Sequence, residues 1–156
     1  MGNLELLNIL QKGLDHMNIQ YKTSVTSTGG RDGKVAVENS NLEFDMALPA
    51  EMGGSKKSGV NPEQLFAAGY SACFGSAVQH FLRTKKMPIK VPTIRVTVGI
   101  GKNEAGLNML AVDIVATFTD IDQETADALV QEAHQICPYS NATRGNIDVT
   151  VSAKVG

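Results

Sequence analysis

At 156 residues, with 42% hydrophobic and 19% charged side chains, the chain holds enough apolar material for one globular core and too little for two. Fourteen basic against sixteen acidic residues leave a net charge of -2, which removes the cationic footprint that nucleic acid or an anionic membrane surface would require. Two cysteines cannot make a multi-bridge disulfide scaffold, which leaves a reducing compartment and chemically employed thiols open, and a cytoplasmic setting is the expectation.

Residues 1–16, MGNLELLNILQKGLDH, place Leu7, Leu10 and Leu14 at helical spacing, with no basic region before them and no small-residue cleavage site after. They read as a dispensable leader to a single domain spanning 17–156. From Met17 the period changes to two. Ile19, Tyr21, Thr23 and Val25 alternate with polar residues, predicting a half-buried strand that Gly29-Gly30-Arg31-Asp32-Gly33 breaks. Val35/Val37 and Leu42/Phe44/Met46/Leu48 predict two more strands, joined through Asn39-Ser40-Asn41. Residues 50–60, rich in glycine, serine and lysine, predict a mobile loop, and Asn61-Pro62 marks a helix start with proline in the first turn.

No Asp, Glu, Lys or Arg occurs between Glu63 and Arg83, but Gln64, Ser71, Ser76, Gln79 and His80 fit a buried helix better than a membrane span. Its small residues recur at ridge spacing, Ala68/Ala72/Ser76 beside Gly69/Cys73/Ala77, so another backbone can approach closely. Ile94 to Ile100 and Leu110 to Phe118 alternate as a hairpin about the turn 103–106. Residues 122–136 return to helical spacing with Asp122 as N-cap and Pro138 just past the end, and Ile147 to Val155 make a closing strand. The order is that of an α+β fold, with antiparallel sheets packed around a long central helix.

Two cysteines in such a chain are either inert core or a reactive pair. Cys73 has small neighbours that leave room around its sulfur, and Cys137 sits at a helix end in the polar stretch Cys-Pro-Tyr-Ser-Asn, so neither position reads as packed interior. A nucleophilic thiol must be a thiolate and needs a cation beside it; Arg31 and Arg144, both in glycine-containing turns, are the candidates. Cys73 and Cys137 are too far apart for a Cys-x-x-Cys motif, so the fold would have to bring them together. His80 and His134 with the two cysteines lack the tight paired spacing of a structural zinc site, and His80 reads as a core residue. Gly99-Ile100-Gly101 is too short for a dinucleotide fingerprint. No bound metal or cofactor is expected.

Three segments, TGGRDG at 28–33, NPEQLFAAGYSACF at 61–74 and CPYSNATRGNIDV at 137–149, closely resemble the organic hydroperoxide resistance branch of the Ohr/OsmC family. The resemblance covers the chain from Met17 onward. It implies an intertwined homodimer with central helices and sites at the subunit interface. It also implies a thiol-dependent peroxidase that reduces organic hydroperoxides to alcohols, reset by an external dithiol of the dihydrolipoamide type or a lipoylated protein. Cys73 would then be the peroxidatic thiol, Cys137 the resolving thiol, and Arg31 with Glu63 the pair that holds the thiolate and positions the peroxide. Glu63 and Cys73 are ten residues apart, about 15 Å along a straight helix, so they cannot share a site directly. Either the helix breaks, or Arg31 bridges, or the partner subunit supplies Glu63, and the last is the favoured solution. Phe66 and Phe74 are candidates for an apolar wall or for core. The rival readings are a non-catalytic redox sensor and an apolar-ligand binding protein.

Overall fold

The computed structural model describes residues 18–55 and 58–156. The leader expected over 1–16 lies outside the described residues. In chain order the elements are β1 (Val25–Thr28), β2 (Lys34–Val37), β3 (Glu43–Asp45), α1 (Pro62–Thr84), β4 (Thr93–Lys102), β5 (Asn108–Phe118), α2 (Gln123–Ile136), α3 (Pro138–Thr143) and β6 (Asp148–Val155).

The long helix starts where its sequence provides a complete cap. The Asn61 side chain accepts from the Gln64 N–H at 2.8 Å, the Gln64 side chain accepts from the Asn61 N–H at 2.9 Å, and Pro62 occupies the first turn. One face of α1 then repeats every four residues, burying Tyr70, Phe74, Val78 and Leu82. That stripe meets the alternate residues Val112, Ile114, Ala116 and Phe118 of β5 and the inward face of α2, Ala126, Leu129, Val130 and Ala133, in one core. Cys137 follows Ala133 at the next helical step and belongs to the same core, fully buried. The expectation that neither cysteine is interior therefore fails for Cys137. The loop expected after it is also a helix, because Pro138 sits at the first position of α3, where its missing N–H costs nothing.

β4, β5 and β6 form one sheet, with β4 antiparallel to β5 and β6 parallel to it. Antiparallel pairing throughout was the expectation. The last pair is parallel because α2 and α3 carry the chain back across the sheet before β6 begins, as a crossover must.

β1, β2 and β3 form a separate antiparallel sheet. All residues of β1 and β3 are exposed, including Val25 and Phe44. The strand expected from Ile19 begins only at Val25, and residues 18–24 carry no regular structure. Alternation marks β propensity, but among the described residues no element lies beneath these side chains to reward it. The segment after β3 contains a short 3₁₀ turn at Ala50–Met52, and Val60 pairs with Met46 just before α1.

Candidate functional site

Arg31 is held by the turn between β1 and β2. Gly29 and Gly30 adopt left-handed φ angles of 76° and 57°, which L side chains rarely tolerate, and a Cβ on Gly33 would run into the Thr28 carbonyl. The turn delivers the guanidinium to the first turn of α1. There Nη1 donates to Glu63 Oε2 at 2.8 Å and Nη2 donates to Oε1 at 2.6 Å, a bidentate pair within one chain. Glu63 is only 13% exposed and Arg31 36%. The paired guanidinium holds the Glu63 carboxyl below its ordinary range, against the opposing effect of burial, and the carboxylate raises Arg31 in return. Beside them runs a groove of about 330 Å³ walled by Phe66, Ile100, Met109 and Leu110. Arg31, Glu63 and Asn108 give it polar groups beside these apolar walls. Of the two phenylalanines expected as wall or core, Phe66 lines this groove and Phe74 is core.

The second feature is the sulfur pair. Cys73 lies half-buried in the middle of α1, Cys137 lies at the junction of α2 and α3, and their Sγ atoms are 3.5 Å apart although 64 residues separate them. Both are free thiols. Burial, more than any other cause, pushes the Cys73 thiol above its ordinary range. The Tyr139 backbone works the other way, and the neighbouring Cys137 adds to the rise. Tyr139 packs against Phe66 and Tyr70, with ring centroids 6.1 and 5.5 Å away. A Cβ on Gly69 would lie 2.8 Å from the Tyr139 hydroxyl, so the glycine makes room for this ring.

The two features do not meet within one chain. α1 runs without a break from Pro62 to Thr84, which removes the broken-helix solution, and the Arg31 guanidinium is committed to Glu63 about 15 Å along the axis from Cys73. Arg144, the other candidate cation, is occupied elsewhere. Its Nη2 donates to the His134 carbonyl at 2.6 Å and its Nη1 to Asn141 Oδ1 at 2.7 Å, tying the end of α3 to the last turn of α2. His80 is exposed on α1 with its ring edge-on to Phe81, and is not the core residue expected. Among the described residues no three His, Cys, Asp or Glu side chains gather where a metal ion would bind. None of the described helices is long and apolar enough to cross a membrane.

The sequence pattern did not single out Tyr139 or the groove residues on β4 and β5, and it marked Gly69 only as part of a small-residue ridge. A signal existed for Tyr139 and Gly69: Tyr139 lies two residues past Cys137 and Gly69 one turn before Cys73, so contact between the sulfurs places them together.

Comparison with known proteins decides the family. Residues 53–152 match the family model described as OsmC-like protein. The chain belongs to the OsmC-like family. Its relatives place it in the organic hydroperoxide resistance branch. Organic hydroperoxide resistance protein-like 2 of Staphylococcus saprophyticus is 44% identical over 137 residues, 86% of this chain and 96% of that protein. Organic hydroperoxide resistance protein OhrB of Bacillus subtilis is 42% identical over 136 residues, 86% and 98% of the two chains. The crystal structure of an organic hydroperoxide resistance protein from Elizabethkingia anophelis superimposes with a TM-score of 0.85 at 43% identity, covering 90% of this chain and all of that one. The OsmC-like fold accordingly carries both the sulfur pair and the Arg31–Glu63 pair in this chain.

Proposed function

We propose that this OsmC-like chain is a cytoplasmic thiol peroxidase that reduces organic hydroperoxides, fatty hydroperoxides included, to alcohols. The observation that carries the reading is the 3.5 Å approach of two free sulfurs drawn from distant parts of the chain, one reachable and one sealed in the core.

In the proposed cycle the Cys73 thiolate attacks the outer peroxide oxygen. The O–O bond breaks, the alkoxide leaves as the alcohol after taking a proton, and Cys73 becomes a sulfenic acid. Cys137 then attacks that sulfur. The S–S bond forms as the S–O bond breaks, and the hydroxyl leaves with the Cys137 proton as water. An external dithiol of the dihydrolipoamide type, free or on a lipoylated protein, resets the pair by exchange. The protein itself binds no cofactor in this scheme. The groove beside Arg31 supports a preference for tailed peroxides, since each buried CH₂ contributes about 0.8 kcal/mol.

Among the described residues no cation acts on Cys73, and a homodimer supplies one. Midway between Glu63 and Cys73 on α1 stands Ala68, small and exposed, with Ala72 and Ser76 continuing the same open face. If two copies of α1 cross antiparallel with the two-fold axis at Ala68, each Cys73 lies opposite the partner subunit's Glu63, which brings that subunit's arginine with it. Among the described residues the β1–β3 sheet leaves Val25 and Phe44 exposed, which supports the same assembly. Arg31 then lowers the Cys73 pKa and stabilises the departing alkoxide, while Glu63 aims it.

Peroxide consumption tests the proposal. With a lipoyl dithiol the protein is expected to turn over tert-butyl hydroperoxide many times and faster than hydrogen peroxide, and Cys73→Ser is expected to be inactive. Turnover by Cys73→Ser refutes the assignment, and a single slow oxidation of the parent favours a sensor.

A further inference from the structure

Beneath the two sulfurs lies a second cross-link between the same elements. Tyr70, three residues before Cys73 on α1, and Ser140, three residues after Cys137 on α3, are fully buried, and their hydroxyls are 2.9 Å apart. Moving three residues down one element and three up the other converts the hydroxyl pair into the sulfur pair, which is the register of two antiparallel segments. Tyr70 Oη is also 3.2 Å from Thr143 Oγ1, and His134 Nδ1 is 2.9 Å from Ser140 Oγ.

The proton count fixes the direction of this network. Thr143 Oγ1 lies 3.0 Å from the Tyr139 carbonyl and 3.2 Å from that of Ser140, and carbonyls only accept, so the Thr143 proton is spent there. Tyr70 must then donate to Thr143, Ser140 must donate to Tyr70, and the His134 Nδ1–H must donate to Ser140. Each hydroxyl gives one proton and takes one. Removal of the Tyr70 oxygen interrupts the chain at its middle, leaving a buried Ser140 proton without an acceptor and Thr143 without its donor.

We propose that Tyr70 is the positioning residue for the second half of the reaction, its hydroxyl holding α3 in the register that keeps Cys137 against Cys73. This rests on the peroxidase reading for the identity of the oxidised sulfur. The step affected is the one in which Cys137 displaces hydroxide from the Cys73 sulfenic acid, giving disulfide and water. Attack on the peroxide is expected to survive loss of the hydroxyl, because Tyr70→Phe keeps the ring that packs 5.9 Å from Phe66 in the groove wall.

The test is Tyr70→Phe, which deletes one oxygen, alongside Ser140→Ala, which deletes its partner, and Leu82→Ala, which empties core space at the far end of α1. Reduced protein receives one equivalent of tert-butyl hydroperoxide with dimedone present. Sulfenic acid adduct and disulfide are then counted by mass spectrometry. Tyr70→Phe and Ser140→Ala are expected to consume peroxide at a rate within about twofold of the parent while disulfide forms at least about tenfold more slowly, with adduct accumulating. Leu82→Ala is expected to lower the melting temperature without changing the ratio of adduct to disulfide. Diamide, which joins two neighbouring thiols without peroxidase chemistry, reads the register alone, and the same two variants are expected to close slowly with it. Parent-like closure in either hydroxyl variant, or a ratio in Leu82→Ala that shifts as far as theirs, overturns the inference. A parent that ignores the hydroperoxide while the variants still close slowly with diamide overturns the peroxidase reading and leaves the register intact.

Discussion

The proposed assembly makes Cys73 reactivity a property of two chains, and the geometry sets how large the effect is. Arg31 in its own chain is about 15 Å away along α1, where a unit charge in surroundings of effective dielectric about 20 contributes about 1 kcal/mol, and salt reduces that further. At 4 Å the same charge contributes about 4 kcal/mol, or about three pKa units, as an upper bound that the paired Glu63 carboxylate reduces. The nearer arrangement opposes far more strongly the burial that raises the Cys73 thiol. The perturbation is a mixed dimer, purified with two tags, of one Arg31→Ala subunit and one Cys73→Ser subunit. Each homodimer is expected to be inactive. The mixed dimer has one complete site, made of Cys73 from the first subunit and Arg31 from the second, so it is expected to recover about half the parent's turnover per dimer. Its single Cys73 is expected to alkylate at neutral pH as fast as the parent, against a drop of about a hundredfold or more in the Arg31→Ala homodimer. A mixed dimer as inert as either homodimer would refute the cross-subunit site.

Cys137→Ser is expected to consume one equivalent of hydroperoxide per subunit and stall with Cys73 as sulfenic acid, or a second equivalent where that overoxidises to sulfinic acid, with intact-mass analysis finding no disulfide; sustained turnover would remove Cys137 from the cycle. Phe74→Ala, at a fully buried position in the α1 stripe, is expected to lose about 3 to 5 kcal/mol by urea unfolding, and a loss below about 1 kcal/mol would mean the core refills the space. His134 is held below the ordinary histidine range, by burial first and by Arg144 second. The unfolded chain therefore takes up a proton near pH 6.5 that the folded chain still refuses, so stability present above that pH is expected to fall as the solution is acidified through the folded value. Melting curves from pH 7.5 to 5.5 test this, with a shallower dependence expected in His134→Gln, and a parent that gains stability on acidification would contradict it.

Much of the scaffold was legible because its signals are local. Asn61-Pro62 with Gln64 contains a whole helix cap, Asp122 caps α2 through the Thr125 N–H, and clean alternation marks β4 and β5. The failures come where the deciding interaction is distant. Nothing in the alternation from Ile19 to Val25 says whether a surface lies beneath it. Parallel pairing of β6 depends on where the crossover lands. Cys-Pro-Tyr-Ser-Asn has the composition of a loop, and six residues are too few to display a helical period, yet Cys137 stands four residues past Ala133 on the buried face of α2. That spacing carried its burial. Arg31 and Glu63 were singled out by motif, and their bidentate contact follows from a glycine turn whose reach only coordinates reveal. Tyr70 gave a weaker hint, as a tyrosine in the stretch of α1 between Glu63 and Arg83 that carries no charged residue, where its hydroxyl must find a partner.

The complete burial of Cys137 has a consequence for the order of events. A sulfur with no surface cannot collide with a dissolved oxidant, an alkylating agent or a metal, so the only electrophile it meets is whatever its neighbour has become. Chronology is thereby enforced by access rather than by relative nucleophilicity, and the inner thiol is kept in reserve through any chemical insult that spares the outer one.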